Sequence, residues 1–558
     1  MTHTDMLPRF LTANVIGAVL LGLIGALSWS LAGGGFLKVD SPFGEGLVTI
    51  YLFAAQDGPI MIGALAVLMS GLVAMRFPWG DGLVENFGRS RGALVALLLL
   101  GFGASLFTRV VLHQSFGLSL DEYMPEFQAG IFRSGNLLQV LPAAEFSDTE
   151  NFQRFFTWTH APEQVWGSHY RPMHAAMIAL IGADLLNPLM AVVTLWAMAD
   201  IARRLFPDQI EAAFVAAALL LVSPQFLATN GSGFAFATHL ALNMVWLALF
   251  LRGGFGHHCL AALVGALAIG LHQVHVHPLF AAPFLVALLW GAFGSRIKTL
   301  PYFVIYGIAL PVWVLWPELA TFLQTGDATV LPRRIMDVDY IRNYISFAET
   351  TAAPQAGIVN LLTGVNISRF AAWISPLVLV GVIAAVMMWR QQSLIIRLCL
   401  ISFLLTVGFC HLVMPNQMHS WGARYFHPVL GVLILVAVSG YCGLRRAIGI
   451  GAWRWMLTGL VASMVILLPW RAVQIDAKVG PRAAVQAELA NIDADYVILP
   501  AGDIWFGYDM LRNHADLSNR PRLIFRAPPL RTPGTIRVLT AEDLYQMGLP
   551  RGSLLEPG

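Results

Sequence analysis

Charge is scarce in this sequence. Only 12% of its 558 residues are Asp, Glu, Lys or Arg, whereas an average soluble domain is roughly a quarter charged. The formal net charge is +2 and there is no basic run, which argues against a nucleic-acid partner. Cysteine is equally rare. The four cysteines all fall in apolar stretches without a C-x-x-C spacing, so neither a disulfide framework nor a zinc knuckle is indicated.

Long apolar stretches take the place of the missing charge. Hydrophobic residues make up 57% of the chain, and apolar stretches of about 17 to 25 residues recur along it, each long enough to cross a bilayer as a helix. The first is too long for the core of a signal peptide, so we interpret it as a retained helix. The stretches predict a polytopic, mainly α-helical membrane protein with about 13 spans, at residues 10–32, 49–75, 93–112, 174–200, 212–229, 233–251, 258–275, 277–294, 300–318, 370–389, 396–413, 426–443 and 453–470.

Basic residues between these spans fall on alternate connections. This is the distribution that the positive-inside rule requires of cytoplasmic loops. It is carried by Arg89, Arg91, Arg203, Arg204, Arg252, Arg296, Lys298, Arg390, Arg397, Arg445 and Arg446. We therefore expect a cytoplasmic N-terminus, with the long loops 113–173 and 318–369 and the C-terminal tail on the outer side of the membrane.

Residues 471–558 have a different character from the rest of the chain. The stretches "DYVILPA", "PRLIFRA" and "TIRVLT" are typical of short strands, and "PRAAVQAELANID" is typical of a helix. A second helix is predicted in "TAEDLYQMG", where Thr540 and Asp543 have the spacing of a capping box. The sequence therefore predicts a small C-terminal α/β domain outside the membrane.

Two adjacent carboxylates, Asp121 and Glu122, follow the third span at the predicted outer surface. An ionised carboxylate so close to hydrocarbon is costly unless it is paired, hydrated or in a cavity, which favours a functional role. The alternative is structural, because acidic residues at the start of "DEYMPEFQAGIF" would stabilise the first turn of an interfacial helix. The spacing alone leaves both readings open.

The stretch "LSLDEYMPEFQAGIFRSGNLL" resembles the first outer loop of bacterial GT-C superfamily glycosyltransferases, the group that includes the lipid A aminoarabinose transferase and the protein O-mannosyltransferases. The matching residues are Asp121, Glu122, Tyr123, Phe127, Gln128, Ala129, Gly135 and Leu137. Two later stretches, "GSHYRPMHAAMIAL" and "WGARYFHPVL", are similar to further segments of that family. The resemblance implies a GT-C-type transmembrane bundle over residues 93–470, preceded by two accessory helices in residues 1–92 and followed by the domain 471–558.

The resemblance also implies a function. That function is the inverting transfer of a sugar from a polyprenyl-phosphate donor to an acceptor hydroxyl at the outer face of the bacterial cytoplasmic membrane. Asp121 would be the general base, since a carboxylate is ionised at neutral pH, and Glu122 would orient the acceptor or hold an arginine. The leaving lipid phosphate needs fixed cations. The candidates for binding it are Arg424, Tyr425, Arg171, Arg333 and Arg334.

Aromatic and imidazole side chains near these stretches are candidates for substrate contacts or for the wall of a cavity. They are Tyr123, His169, Tyr170, His174, His239, His272, His275 and His277. In "LHQVHVHP", His272 and His275 have the i, i+3 spacing of one helix face. The three imidazoles of this stretch leave open a divalent metal such as zinc, a contact with phosphate, or a polar cavity wall; no cofactor is certain.

The expected partners are a polyprenyl-phosphate-linked sugar, a lipid, glycan or protein acceptor, and membrane lipids. A transporter or flippase of lipid-linked sugars is the alternative, in which intramembrane histidines and arginines would line a path. The polar residues are concentrated on one side and no inverted repeat is detectable, which favours the enzyme.

Overall fold

The computed structural model of the chain describes residues 6–33, 48–77, 90–330, 356–419, 421–527 and 534–551. Helices dominate it. In chain order they are α1 Met6–Leu31, α2 Val48–Ala74, α3 Arg91–Phe107, α4 Leu120–Arg133, α5 Ala143–Phe146, α6 Thr149–Phe152, α7 Pro172–Ile181, α8 Ala183–Leu205, α9 Ala212–Leu221, α10 Pro224–Gly231, α11 Phe236–Arg252, α12 Phe255–Ile269, α13 Val276–Leu289, α14 Leu300–Val314, α15 Trp316–Thr325, α16 Ala356–Trp373, α17 Pro376–Met387, α18 Leu394–Val413, α19 Leu430–Ile448, α20 Ile450–Ala462, α21 Leu468–Ala490 and α22 Ala541–Gln546.

The protein is a multi-pass membrane protein. In the described part of the chain, eight helices are long and apolar enough to cross a membrane, and two bent helix pairs raise the number to ten. Four further apolar helices are shorter, with 10 to 17 residues. Each of the 13 predicted spans falls on one of the long helices, a bent pair or a short apolar helix, so the predicted polytopic helical fold is confirmed.

Three of the predicted continuous spans are broken in the structure. The pair α9 and α10 bends by 60° and the pair α16 and α17 by 111°, and the second helix of each begins with proline, Pro224 or Pro376. Proline has no N–H to donate and its ring clashes with the preceding turn, so it begins a helix more readily than it continues one. Between α7 and α8 the break lies at Gly182, whose φ of +99° suits glycine.

The centre of the helical body is α19. The span that contains it, Arg424–Ile448, is buried over its whole apolar window, and it packs against α9, α17, α18 and α20. Its closest approach is to α17, where Gly381 faces Ala437 and Gly440 so tightly that an added Cβ would meet backbone atoms. Small residues at such a crossing let two membrane helices pack backbone to backbone.

The first two helices are bonded to this body through a buried carboxylate on α2. Asp57 Oδ2 accepts a hydrogen bond from Arg369 Nε at 3.1 Å, and Asp57 Oδ1 lies 2.8 Å from Arg471 Nη2. Trp373 Nε1 also donates to Oδ1, at 2.9 Å. One carboxylate therefore joins α2 to α16 and α21, and it faces two buried guanidinium groups.

Two small sheets lie outside the apolar helices. The first is antiparallel, in the order β1-β3-β2, from the strands Gln139–Val140, Val165–Ser168 and Thr157–His160. The second is parallel, in the order β5-β4-β6, from the strands Arg522–Ile524, Tyr496–Ile498 and Ile536–Val538. The last three strands and α22 occur where the tail sequence predicts them, and Thr540 caps α22 by accepting from the N–H of Asp543 at 3.2 Å.

The segment after α21 lies directly on the loop that contains α4. Trp166 Nε1 donates to the carbonyl of Ala515 at 2.8 Å, and Asn513 Nδ2 donates to the carbonyl of Phe152 at 2.9 Å. The tail thus covers the same end of the helical body as the loop between α3 and α7. As a separate domain, residues 471–558 stay a prediction, because α21 runs without a break from the last apolar span to Ala490.

Candidate functional site

The site is built around the first turn of α4. The helix begins at Leu120 after the extended N-cap residue Ser119. Glu122 Oε2 accepts from the backbone N–H of Ser119 at 3.1 Å, and its Oε1 accepts from the N–H of Gly233 at 3.2 Å. Glu122 is 1% exposed, so this carboxylate forms the helix cap and bonds it to the loop before α11. Asp121 is left to point elsewhere, because neighbouring residues do not share a helix face.

Asp121 meets an arginine that is 303 positions away in the sequence. Its Oδ2 lies 2.8 Å from Arg424 Nη1, and its Oδ1 accepts a hydrogen bond from the hydroxyl of Tyr170. Arg424 follows α18 and opens the span of α19, while Tyr170 lies between β3 and α7. Three segments that resemble GT-C motifs therefore converge on one carboxylate.

The two carboxylates of the pair have opposite electrostatic environments. Burial opposes ionisation of Asp121, but the charge of Arg424, the nearby His272 and the hydrogen bond from Tyr170 outweigh it and lower its pKa below the ordinary value. Burial raises the pKa of Glu122, against the two backbone N–H groups that it accepts from. Asp121 is thus the more readily ionised member of the pair.

An aromatic wall surrounds the Asp121–Arg424 pair. The guanidinium of Arg424 lies 4.9 Å from the ring centroid of Phe234 and 5.0 Å from that of Tyr425. Tyr170 packs between Phe156, at 5.2 Å, and His272, at 4.2 Å between ring centroids. These rings exclude water from the site. The low polarity that results strengthens the attraction between the charges of Asp121 and Arg424.

Two further basic residues, which are absent from the sequence-based candidates, reach the same region from α21. Lys478 and Arg482 are 1% and 5% exposed, and both lie close enough to Arg424 or to Asp509 to interact electrostatically. Among the described residues, Lys478 Nζ and Arg482 Nη1 have no hydrogen-bond partner. Lys478 Nζ lies 4.7 Å from the ring centroid of Trp421, and buried donors without a hydrogen-bond acceptor are costly, so this arrangement suits an anionic ligand.

An apolar groove approaches these cations along α21. Its volume is about 530 Å³, and its walls come from α3, α10 and α21. The α21 wall is formed by Leu468, Pro469, Ala472 and Ile475, and by Arg471, whose guanidinium is paired with Asp57. Lys478 and Arg482 continue the same i, i+3, i+4 face beyond Ile475. One face of α21 thus changes from apolar to cationic along its length, as would suit a lipid with an anionic head.

A carboxylate of the tail completes the site. Asp509 Oδ1 accepts from the N–H of Leu120 at 3.1 Å, and its Oδ2 lies 3.9 Å from His419 Nε2. Burial raises the pKa of Asp509 to about 7, with Asp121 adding to the effect and the Leu120 N–H and Arg512 opposing it. Nothing in the sequence around Asp509 predicts this contact with the first turn of α4.

The predicted histidines are divided between this site and the helix interior. His272 and His275 lie in the turn between α12 and α13, so the expectation that they share a helix face is wrong: α12 ends at Ile269 before reaching them. His277 donates or accepts at both ring nitrogens, with Asn243 at 2.8 Å and Tyr306 at 2.7 Å. In the described residues these three histidines form no group suited to a metal ion.

The remaining predicted residues have varied positions. His174 Nδ1 lies 3.3 Å from Thr238 Oγ1, and His239 is fully buried with no hydrogen-bond partner among the described residues. The hydroxyl of Tyr123 donates to the carbonyl of Asn513 in the tail, and Arg171 Nη1 donates to the carbonyl of His169 at 3.2 Å. Arg333 and Arg334 lie outside the described residues.

Comparison with known proteins finds similarity only among solved structures. No family model matches the chain, and no curated protein matches it. Among solved structures it is similar to ArnT from Cupriavidus metallidurans, determined with bound undecaprenyl phosphate, with a TM-score of 0.42 and 13% sequence identity. The likeness covers 81% of this chain and 86% of ArnT. It is a likeness in the overall course of the chain, and the roles proposed below rest on the side chains described above.

Proposed function

We propose that this protein is an inverting glycosyltransferase that moves a sugar from a polyprenyl-phosphate donor to an acceptor hydroxyl. The observation that carries the proposal is one face of α21, where the last residue lining the apolar groove is Ile475 and Lys478, within electrostatic reach of Arg424, follows one turn later. The donor has the matching order of parts: a long apolar tail, a phosphate and a sugar. The site would face the outer side of the cytoplasmic membrane, as the distribution of basic loops predicts.

Binding of the phosphate would change the state of Asp121. Against the opposing effect of burial, the charge of Arg424 lowers the pKa of Asp121, which weakens this carboxylate as a proton acceptor. A donor phosphate beside Lys478 competes for Arg424, because a guanidinium binds phosphate in a bidentate manner. Asp121 is then released from its ion pair, so its pKa and its basicity both rise in the complex with donor.

The transfer itself needs one proton acceptor and several fixed cations. Asp121 takes the proton of the acceptor hydroxyl while the acceptor oxygen attacks C1 of the sugar from the side opposite the phosphate. The bond between C1 and the phosphate oxygen breaks, and the electron pair leaves with the polyprenyl phosphate. Arg424, Lys478 and Arg482 stabilise the charge that grows on this leaving group.

Glu122 has a supporting role in this proposal. Its two carboxylate oxygens accept from backbone N–H groups on either side of the first turn of α4. It therefore positions Asp121 without contacting the reacting atoms. This positioning role differs from the two that the resemblance implies for Glu122, which are to orient the acceptor or to hold an arginine.

A binding experiment tests the proposed lipid site directly. The protein in detergent is titrated with a polyprenyl phosphate and, separately, with the polyprenol of the same length, and the midpoint of thermal unfolding is followed. The phosphate should stabilise the wild type and the polyprenol should not, while Lys478→Gln should lose most of the effect. Arg454→Gln is a matched control on α20, away from the site. The phosphate site would be excluded if polyprenyl phosphate and polyprenol stabilised the protein equally. It would also be excluded if polyprenyl phosphate stabilised the wild type and Lys478→Gln to the same extent.

A further inference from the structure

A second cluster of charged side chains lies away from the proposed catalytic site, between the β2–β3 hairpin and the end of α15. It consists of His160, Glu163 and Asp327. His160 Nε2 lies 2.9 Å from Glu163 Oε2 and 3.1 Å from Asp327 Oδ2. All three ligand-type atoms lie within 4.8 Å of one another, and no other such group occurs in the described part of the chain.

Hydrogen bonding within the cluster does not account for its geometry. His160 offers a single N–H at Nε2, and it faces two carboxylate oxygens. The Glu163 side chain is 32% exposed, but its Oε2 is shielded from solvent and, among the described residues, accepts no hydrogen bond of good geometry. The same residues provide no Lys or Arg ion pair to either carboxylate; His160 is the partner of both. Two carboxylates therefore face one imidazole nitrogen without enough positive charge.

Surrounding hydrogen bonds fix the cluster in this arrangement. Asp327 Oδ1 accepts from the N–H of Thr329 at 2.9 Å and from its hydroxyl at 2.7 Å, which leaves Oδ2 for the cluster. Gly326, with a φ of +77°, ends α15 and turns the chain toward the hairpin. Trp158 Nε1 donates to Thr321 Oγ1 at 3.1 Å and joins β2 to α15. Contacts outside the cluster thus hold Asp327 in place and keep the end of α15 against β2.

We propose that His160, Glu163 and Asp327 bind a Zn²⁺ ion that fastens the β2–β3 hairpin to the end of α15. Zinc takes imidazole nitrogen and carboxylate oxygen at about 2.0 to 2.2 Å in a tetrahedral arrangement, which separates neighbouring ligand atoms by roughly 3.3 Å. The two observed separations from His160 Nε2 are slightly shorter, so a small opening of the cluster admits the ion. Three protein ligands leave the fourth position for water.

Thr329 would support the zinc site indirectly, because it donates two hydrogen bonds to the carboxylate of Asp327. Partners of this kind orient a ligand, and their loss usually weakens metal binding by about 10- to 100-fold. Loss of a direct ligand such as His160 should weaken it further. The site would hold together two segments on either side of Tyr170, which follows β3 and contacts Asp121. It is nevertheless separate from the proposed phosphate site, so the two can be tested independently.

Zinc binding is tested on protein purified without a polyhistidine tag. Zinc content after dialysis is measured by mass spectrometry, and zinc affinity is measured by competition with a chromophoric chelator. Backbone hydrogen exchange is then compared with and without Zn²⁺. The wild type should retain about one zinc per chain, and Zn²⁺ should slow exchange in peptides covering residues 157–164 and 321–329. His160→Ala should bind at least about 100-fold more weakly, and Thr329→Val about 10-fold.

His514→Ala is the matched control, because His514 is exposed and bonds only locally to Ser518 and Asn519. It should leave zinc content and affinity unchanged. Equal zinc content in wild type and in His160→Ala would overturn the proposal, since the metal would then lie elsewhere. Unchanged hydrogen exchange at the hairpin on addition of Zn²⁺ would also overturn the proposal and would mean that the three side chains only contact one another.

Discussion

Replacing Asp57 by asparagine should lower the free energy of unfolding far more than the same replacement of an exposed aspartate. The carboxylate lies inside the helical body, 0% exposed, between Arg369 and Arg471, which are 0% and 1% exposed. Asparagine keeps the shape and can still accept from Trp373, but it removes the charge that compensates both arginines. Breaking a buried ion pair from one side costs about 3 to 5 kcal/mol. Because two guanidinium groups lose their partner together, we expect the upper end of that range.

The control for Asp57→Asn is a second aspartate that also contacts two arginines. Asp200 lies 3.0 Å from Arg204 and 3.5 Å from Arg252, but in a partly exposed position at the end of α8. Exposed pairs of this kind contribute about 0 to 1 kcal/mol. The free energies of unfolding of both variants are measured in mixed micelles by titration with a denaturing detergent. If Asp57→Asn lost no more stability than Asp200→Asn, the charge of Asp57 would not be what joins α2 to the rest of the protein.

Three more predictions concern the proposed site. Arg424→Met should lower kcat by about 10²- to 10³-fold, since it removes a preorganised cation from the leaving group; a change in donor KM alone, measured in steady state, would contradict that role. Tyr170→Phe removes a hydrogen bond that lowers the pKa of Asp121, so the acid limb of the pH profile of kcat/KM should move to higher pH. An unchanged acid limb would mean that Tyr170 does not affect the ionisation of Asp121. The pKa of Asp509 is raised to about 7 in the folded protein from an ordinary value of 3.8. Its contribution to stability is therefore fully present below about pH 4 and is lost as the pH rises through 7. Thermal unfolding at a series of pH values should show this decline in the wild type and a flatter profile in Asp509→Asn; parallel profiles would refute it.

The helical architecture could be predicted because its cause is local. A stretch of about 20 apolar residues is a candidate membrane helix whatever surrounds it, and all 13 predicted spans coincide with helices. The breaks were harder to foresee. Pro224 and Pro376 lie inside apolar stretches, and hydropathy alone does not tell a kinked span from two helices joined by a sharp bend. The capping box at the start of α22 is also predictable, because its two residues, Thr540 and Asp543, are only three positions apart in the sequence.

The site could be predicted only in part, because its residues meet across long sequence separations. Asp121 and Arg424 were found through motifs, and nothing in their spacing predicts a 2.8 Å contact. Lys478 and Arg482 were missed because the last span was expected to end at residue 470 and the tail to begin there. Continued to Ala490, the helix α21 places both on the face that lines the groove. An i, i+4 pair of cations directly after an apolar helix was the available signal.

The central claim is that Asp121 is the base of a sugar transfer. The most direct measurement is the rate of transfer from a panel of radiolabelled polyprenyl-phosphate sugars to total envelope extract in proteoliposomes, comparing wild type with Asp121→Asn and Glu122→Gln. Folding of each variant is checked by thermal unfolding. Asp121→Asn should lose about 10²- to 10⁴-fold in rate, whereas Glu122→Gln, which disturbs only the cap, should stay within about 10-fold. Wild-type rates in a folded Asp121→Asn variant, or passage of the lipid-linked sugar across the bilayer without transfer, would contradict the account.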